Sequence, residues 1–391
     1  MSASQQFDDH LLPLWEEKSL TTPAFVYDEA AVTNKLELLA KVRERCGCQI
    51  LYSVKALSFS SLLNTIADHV DGFSASSLFE CRLAREVLGE KGSIHVTSPG
   101  LSLSAIQDIA NISDYLSFNS SSQWQRCKSH VERLNCGLRV NPELSFVKDD
   151  RFDPCRDYSK LGIPLSQLAT LWRQQPETFA GISGIHIHTN SESENFRELE
   201  QTINKVKNAL EDFMPGLDWI NLGGGYLFDN TQQLDVLCSI ASGLKQQNGL
   251  DVFFEPGNAI VNQAGYLVAT VIDLFDSGGK TIAVLDTTVN HLPEVFEYQY
   301  KPVVLQECAD GAYSYRLAGA SCLSGDLFGD YCFADKLQVG SRIIFANTGA
   351  YMLVKANMFN GINLPAIYSL NSSNELRLQK EYDYGYYRSR W

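Results

Sequence analysis

Eight short apolar segments recur between residues 48 and 257, each followed by polar or glycine-rich residues and then by a stretch with helical periodicity. The eight segments are CQILYSVKA (48–56), DGFSASS (71–77), SIHVTSP (93–99), DYLSFNS (114–120), CGLRVNP (136–142), SGIHIHT (183–189), DWINLGGG (218–225) and DVFFEPG (251–257). Intervening stretches such as ENFRELEQTINKVKNALEDF have apolar residues at steps of three and four, which predicts amphipathic helices. Strands that alternate with helices form a parallel sheet, and eight such units predict an α/β fold with a closed (β/α)8 barrel. The alternative is an open, doubly wound sheet, which is less favoured because the eight units recur evenly.

The pattern changes after about residue 265. The segments GYLVATVIDLF, KTIAVLDTTV and KLQVGSRIIFANTGAYMLV are separated by turn residues and contain no long helical pattern, which predicts a mostly antiparallel β domain over 266–391. We expect the barrel to occupy 33–265, and residues 1–32 to form an N-terminal segment with a strand that joins the β domain. Segment 143–163 is too long for a plain connection, so we expect it to be a functional loop.

The composition excludes several classes of partner. A formal net charge of −14 argues against a nucleic-acid binder and agrees with a cationic substrate. No apolar run is long enough to span a bilayer, and the N-terminus has no basic segment followed by an apolar one, so we expect a cytoplasmic protein. The ten cysteines are scattered, and only Cys46 and Cys48 lie close together, which predicts free thiols.

Chemically active residues stand where the predicted strands end, which is where barrels of this kind have their active sites. These residues are Lys55, Arg139, His188, Gly223, Gly224, Gly225, Glu255 and Gly257. Each residue type alone is common at strand ends, but the set matches the needs of pyridoxal phosphate. That cofactor requires a lysine amine for its aldehyde, a carboxylate for its ring nitrogen and backbone N–H groups for its phosphate. A ring stacked on the pyridine suits His188 better than His186, because side chains alternate along a strand.

A metal site is the rival interpretation of His186 and His188 with Glu255 nearby. A metal-dependent hydrolase would need further ligands at other strand ends. The chain has seven histidines, and none stands at the end of the other strands, so we predict no metal ion.

Several longer motifs carry a resemblance to a known family. They are YSVKAL, GIHIHT, NLGGG, FFEPGNAI, AGASCLSGD and NTGAYMLVKANMFNG. In these motifs the chain resembles the fold-type III pyridoxal-phosphate decarboxylases, which share the fold of alanine racemase and ornithine decarboxylase. Within them it is most similar to the carboxynorspermidine and carboxyspermidine decarboxylases. The likeness runs from about Thr22 to the C-terminal YDYGYYRSRW.

The resemblance implies a role for each cofactor residue. Lys55 would hold pyridoxal phosphate as a Schiff base, Glu255 would pair with the ring nitrogen, and His188 would stack on the ring. The phosphate would lie against Gly223, Gly224, Gly225 and Gly257 with help from Tyr351, and Arg139 would lie near the cofactor. Cys322 would be contributed to the neighbouring subunit's site in a homodimer, where it would protonate the carbon from which CO2 has left.

The resemblance also concerns the substrate. Asp286, Glu294 and Asp326 correspond to carboxylates directed towards the distal amines of a polyamine. Two positions depart from the family pattern: Asn258 stands where an acidic residue usually follows EPG, and Ser191 replaces the thiol of a Cys-Glu pair whose acid is Glu192. We expect Asn258 still to face the substrate, but with one charge fewer.

We therefore predict decarboxylation of carboxynorspermidine or carboxyspermidine in polyamine and spermidine biosynthesis. A sibling decarboxylase acting on ornithine, lysine, arginine or diaminopimelate is the alternative. An amino-acid racemase would need a second base opposite Lys55, where the motif offers Cys322. A non-enzymatic pyridoxal-phosphate carrier would lack the C-terminal domain.

Lys55 is predicted to be the lysine that binds the cofactor. Borohydride reduction should fix the cofactor to this residue as a stable amine, and mass spectrometry of a digest should locate the pyridoxyl group on the YSVKAL peptide. An adduct confined to Lys160 or Lys355 would show that the assignment is wrong.

Overall fold

A computed structural model describes residues 9–11, 13–230 and 233–391. The described chain forms two compact units. One comprises residues 33–260, and the other comprises the residues up to 32 together with 261–391.

The first unit is built on eight parallel strands. In chain order they are Gln49–Ser53, Gly72–Ala75, Ser93–Ser98, Tyr115–Phe118, Asn135–Asn141, Ile182–Ile187, Trp219–Asn221 and Asp251–Phe254. Each strand pairs with its neighbours in sequence, and the eighth pairs with the first, so the sheet closes. A two-residue strand, Ile163–Pro164, adds to the fifth. The predicted (β/α)8 barrel is confirmed.

Helices follow the strands, and polar caps set where several of them begin. The helices of eight or more residues are Glu29–Cys46, Ser60–Ala67, Leu78–Leu88, Leu103–Ile112, Leu165–Gln174, Phe196–Ala209 and Leu234–Asn248. Shorter helices are Ser121–Cys127 and Asn258–Val261. The side chain of Ser77 accepts the N–H of Glu80, and the Glu80 carboxylate accepts the N–H of Ser76, which forms a capping box.

Aromatic side chains fill the barrel interior near the amino ends of the strands. Trp219 packs with Leu51, Phe253 and Tyr115. It fits because glycines face it: a Cβ at Gly184 would lie 2.0 Å from the Trp219 ring. With this end filled by apolar groups, polar side chains that point into the barrel lie towards the carboxyl ends of the strands.

The second unit contains an eight-stranded, mostly antiparallel sheet. Its strands are Ala24–Asp28, Gly265–Ser277, Lys280–Leu285, Tyr313–Ala318, Leu327–Phe333, Arg342–Ala346, Ala366–Leu370 and Leu376–Lys380. The N-terminal strand Ala24–Asp28 lies within this sheet, antiparallel to Gly265–Ser277 and parallel to Ala366–Leu370. Short helices Pro13–Glu16, Pro293–Tyr298, Met352–Lys355 and Tyr384–Arg388 complete the described elements of this unit. The predicted β domain is confirmed.

The prediction that the cysteines are free is wrong for one pair. Cys46 and Cys238 form a disulfide, with Cα atoms 4.2 Å apart. They lie 192 residues apart in sequence, and only the packing of helix Glu29–Cys46 near helix Leu234–Asn248 brings them together. The other eight cysteines are free. Among the described residues, no helix has the length and apolar character that a bilayer span requires.

Candidate active site

A cavity of about 690 Å³ lies within the barrel unit. Five residues predicted or considered from the strand ends line it: Lys55, Arg139, His186, His188 and Glu255. Its remaining wall comes from Ser74, Ser76, Thr97 and Pro99 and from residues 151–154, 156 and 158–161 of the long segment after the fifth strand. Segment 143–163, which we expect to be a functional loop, thus contributes side chains to the cavity wall.

Lys55 lies in a short turn, Val54–Ala56, directly after the first strand. Its side chain is accessible from the cavity but surrounded by protein. Burial lowers the pKa of the Lys55 amine, Glu255 opposes that shift, and Arg139 adds to it. A lowered pKa raises the fraction of neutral amine, which is the form that attacks an aldehyde.

Glu255 follows the eighth strand and is buried, with 8% of its side chain exposed. Asn221 Nδ2 donates to Glu255 Oε1 at 2.7 Å, and His186 Nε2 lies 3.3 Å from Oε2. Burial alone would raise the pKa of Glu255, but His186 and then His95 and Lys55 outweigh it, so the pKa lies below its ordinary value. The site therefore holds an ionised carboxylate away from bulk water.

The Gly223–Gly225 turn packs too closely for any side chain. A Cβ would lie 2.5 Å from Ile187 O at Gly223, 2.4 Å from Glu255 O at Gly224 and 1.9 Å from Asn190 O at Gly225. Positive φ angles at Gly223 and Gly225 also require glycine. Glycine at these positions therefore lets the end of the seventh strand pack against the ends of the sixth and eighth strands.

His188 is fixed by this same turn. The N–H of Gly224 donates to His188 Nδ1 at 3.1 Å, so the proton of the neutral ring lies on Nε2. Burial lowers the pKa of His188 well below its ordinary value, and Lys55 and Arg139 lower it further. An uncharged, oriented ring in the cavity wall is suited to stacking on a flat cofactor.

The turn after Glu255 closes against the first strand. Ser53 N–H donates to Pro256 O at 3.0 Å, and a Cβ on Gly257 would lie 2.9 Å from that of Ala56. Lysine, carboxylate, glycine turn and ring thus belong to neighbouring strand ends. The residues present fit pyridoxal phosphate at two of its groups, with Lys55 for the aldehyde and Glu255 for the ring nitrogen. The Gly223–Gly225 turn stays the predicted phosphate site, and its Gly223 and Gly224 N–H groups donate to Asn221 Oδ1 and His188 Nδ1 in this structure.

Asn258 is in contact with Glu192. Its Nδ2 donates to Glu192 Oε1 at 2.5 Å. The amide of Asn258 thus orients a neighbouring carboxylate, and the negative charge of this pair lies on Glu192.

In the β-domain unit, Cys322 lies exposed on a loop that two side chains fix. The Cys322 N–H donates to Asn360 Oδ1 at 2.8 Å. Asp326, which is buried, accepts the N–H of Val289 at 2.7 Å and the N–H of Ser321 at 3.0 Å, as well as the Ser321 hydroxyl. Asp326 therefore organises the loop that bears Cys322.

The other two acids predicted to contact substrate also have partners within this unit. Asp286 accepts the Thr22 hydroxyl at 2.6 Å on one oxygen and the Thr270 N–H at 2.8 Å on the other. Glu294 forms an ion pair with Lys355 at 3.2 Å. Tyr351, the predicted phosphate ligand, lies half-buried at a positive φ of 63° before helix Met352–Lys355.

The rival metal-site interpretation finds no support. Across residues 9–11, 13–230 and 233–391, no group of three or more His, Cys, Asp and Glu side chains could hold a metal ion. His186 and His188 both line the cavity, but His186 faces Glu255 and His188 faces Gly224.

Several residues of the site were not among the candidates chosen from the sequence. From the sequence, His186 is a candidate only for ring stacking or for a metal site, and Asn221 is not a candidate at all. Asn221 stands two residues before Gly223, and a polar residue inside an otherwise apolar strand was the available signal. Glu80, close enough to raise the pKa of Lys55, is attached to Ser76 by its capping role.

Comparison with known proteins agrees with this geometry. Residues 30–262 match the family described as pyridoxal-dependent decarboxylase, pyridoxal binding domain. The carboxyaminopropylagmatine decarboxylase of Synechocystis sp. is 34% identical, with 95% of this chain and 96% of that protein covered. The carboxynorspermidine/carboxyspermidine decarboxylase of Campylobacter jejuni is 30% identical, with 95% of this chain and 99% of that protein covered.

Solved structures give the same result. The crystal structure of carboxynorspermidine decarboxylase from Campylobacter jejuni, complexed with norspermidine, aligns with a TM-score of 0.86 at 30% identity over 95% of this chain and 100% of that one. Diaminopimelate decarboxylase from Helicobacter pylori, at 19% identity and a TM-score of 0.81 over 96% of this chain and 98% of that one, shares the fold. With a family match over more than half of its length and relatives of 30–34% identity over nearly all of it, the chain belongs to the pyridoxal-dependent decarboxylases, in the group of the carboxynorspermidine/carboxyspermidine decarboxylases.

Proposed function

We propose that this pyridoxal-phosphate decarboxylase acts on a polyamine that bears a carboxylated aminopropyl group, with carboxynorspermidine or carboxyspermidine as the first choice. One observation carries the proposal: a single cavity combines Lys55 with a buried, ionised Glu255 and lies beside the bare Gly223–Gly225 turn. The names of the relatives then narrow the choice of substrate, because each name describes a carboxylated polyamine or carboxylated aminopropylagmatine.

In this proposal the residues of the barrel bind and orient the cofactor. Lys55 binds it covalently through its amine, Glu255 stands beside the ring nitrogen as an anion, and His188 packs on the ring. Arg139 adds a cation to the cavity wall, and the Gly223–Gly225 and Gly257 turns, with Tyr351, lie at the phosphate. Pyridoxal phosphate, when bound, withdraws the electron pair that departing CO2 leaves on the α-carbon.

A second substrate has support from one relative. The Synechocystis enzyme, at 34% identity, is named for carboxyaminopropylagmatine, which ends in a guanidinium group where spermidine ends in an amine. Both kinds of substrate are long and cationic, so the formal net charge of −14 does not separate them. Ornithine, lysine, arginine and diaminopimelate are less supported, because the diaminopimelate decarboxylase relatives are only 22–24% identical.

We further propose a homodimer in the cytoplasm, in which each subunit contributes Cys322 to its partner's site. Cys322 is exposed in the single chain, yet Asn360 and Asp326 hold its loop in a defined shape, as expected for a side chain that acts elsewhere. As the proton donor, its thiol would return a proton to the carbon that CO2 has left. In the assembled enzyme, Glu294, Asp326, Asp286 and Asn258 are proposed to lie around the distal amines, and Glu294 is the acid best suited to bind one.

Competition between substrates tests the named activity. In mixtures at equal concentration, the enzyme should release CO2 at least about a hundredfold faster from carboxynorspermidine, carboxyspermidine or carboxyaminopropylagmatine than from ornithine, lysine or diaminopimelate. The physical reason is that a short substrate leaves distal acceptors without partners. A higher kcat/KM for ornithine, lysine or diaminopimelate would contradict the substrate while leaving the family intact.

Glu255→Gln tests the role of the buried carboxylate. The amide keeps the shape of the side chain but removes the charge beside the ring nitrogen, so the variant should retain cofactor and lose kcat by roughly two orders of magnitude. Steady-state rates and cofactor absorbance measured on the same sample separate the two effects. Normal turnover at normal cofactor occupancy would contradict the role.

Subunit mixing tests the shared site. Lys55→Ala and Cys322→Ala homodimers should each be inactive, but a heterodimer has one site with both lesions and one with neither. Mixing equal amounts should therefore restore roughly a quarter of the wild-type activity, since half of the dimers are mixed and each has one intact site. If no activity returns although mass spectrometry shows mixed dimers, Cys322 does not act across an interface.

A further inference from the structure

The carboxylate of Glu255 is held on both oxygens by side chains that have no part in the reaction described above. Asn221 donates to Oε1 at 2.7 Å, and His186 Nε2 lies 3.3 Å from Oε2. Asn221 is 1% exposed and His186 is 2% exposed, so neither hydrogen bond has to compete with bulk water. A buried anion needs such partners, because a carboxylate that is removed from water without them is strongly destabilised.

The state of His186 follows from its surroundings. Burial lowers the pKa of the His186 ring, and Glu255 opposes that shift without reversing it. The other ring nitrogen, Nδ1, is buried, and no described residue forms a hydrogen bond with it. An imidazolium would leave a charged N–H donor unpaired at that atom, whereas a neutral ring leaves only a lone pair there. His186 is thus neutral, with its proton on Nε2, and it donates that proton's hydrogen bond to Glu255.

Asn221 connects the carboxylate to the glycine turn. Its Oδ1 accepts the N–H of Gly223 at 2.9 Å while its Nδ2 donates to Glu255. The N–H of Glu255 in turn donates to Gly223 O at 2.8 Å. These three bonds close a ring between the ends of the seventh and eighth strands. Movement of the glycine turn and rotation of the carboxylate are therefore coupled.

We propose that His186 and Asn221 are positioning residues that keep Glu255 ionised and fix the direction of its carboxylate towards the cavity. This inference rests on the proposed function, in which Glu255 is the anionic partner of the ring nitrogen. With one donor on each oxygen, the carboxylate cannot rotate without losing a hydrogen bond. Its remaining lone pairs keep one orientation.

The alternative is that His186 is a core histidine with a purely structural role. The two views differ in what happens to Glu255 when the ring is replaced. Loss of a donor to the charged form raises the pKa of a carboxylic acid, whereas a purely structural change leaves it alone. Lys55, Arg139 and His95 also act on Glu255, but they are unchanged by a substitution at 186.

The test compares His186→Leu, which removes the donor, with His186→Gln, which restores one. His291→Phe is the matched control: His291 is another fully buried histidine, its Nδ1 lies 2.9 Å from the Thr287 hydroxyl, and it is not among the groups that shift the pKa of Glu255. Isotope-edited infrared spectra of cofactor-free protein, with the spectrum of Glu255→Gln subtracted, give the ionisation of Glu255 directly.

In wild type, Glu255 should remain ionised wherever the protein is folded. His186→Leu should bring the protonation of Glu255 into the range of pH over which the protein is folded, and it should lower kcat roughly ten- to a hundredfold with little change in KM. His186→Gln should reverse most of both effects, and His291→Phe should leave Glu255 ionised as in wild type. An unchanged Glu255 titration in folded His186→Leu would overturn the proposal.

Two other outcomes also test the inference. If His186→Leu does not fold, nitrogen-15 shifts of the wild-type histidine rings decide, because a proton on Nδ1 alone or a charged ring at 186 would overturn the inference. If the wild-type enzyme releases no CO2 from any candidate substrate, the proposed function fails. The titration of Glu255 in cofactor-free protein still tests the inference independently.

Discussion

The arrangement of the barrel site depends on one buried anion, Glu255. Removing a carboxylate from water costs several kcal/mol after relaxation, on the order of what one or two good hydrogen bonds to a charge return. Here Asn221 and His186 supply those bonds, and Lys55 supplies an opposite charge nearby. Because these partners come from the seventh, sixth and first strand ends, the ionised carboxylate ties four strand ends of the barrel together. The Glu255 carboxylate, which is proposed to pair with the cofactor, thus also helps to hold these strand ends in place.

Asp326 has a comparable structural part in the β-domain unit. Its carboxylate accepts hydrogen bonds from the loops at Val289 and Ser321, and a Cβ on Gly319 would lie only 2.1 Å from its Oδ1. Asp286 is likewise held on both oxygens, by the Thr22 hydroxyl and the Thr270 N–H. On helix Pro293–Tyr298, Glu294 and Glu297 both form ion pairs with Lys355.

The sequence alone was sufficient for the barrel, the β domain and the residues at the strand ends. It was sufficient because parallel closure brings the carboxyl ends of all strands to one side, so Lys55, His188 and Glu255 could be grouped without knowing any distance. It did not predict the His186–Glu255 and Asn221–Glu255 contacts, since these depend on which side chains meet across neighbouring strands. The same is true of Cys46 and Cys238, which meet only because two helices pack near each other. Interactions between distant residues are set by tertiary geometry, and residue type and periodicity carry no record of them.

The Asn258–Glu192 contact changes how the sequence departure at 258 should be understood. A carboxylate at 258 would lie within hydrogen-bonding distance of Glu192, and each would disfavour ionisation of the other unless a cation bound between them. The amide of Asn258 instead donates to Glu192 from within the protein. The net effect is one negative charge held in a fixed direction rather than two that repel each other. A fixed single carboxylate suits a planar, multidentate donor such as a guanidinium at least as well as a flexible ammonium, because the donor can bind both oxygens without reorganising the site. If Asn258 faces the substrate as proposed, its contact with Glu192 sets the direction of a negative charge there as well as the number of charges.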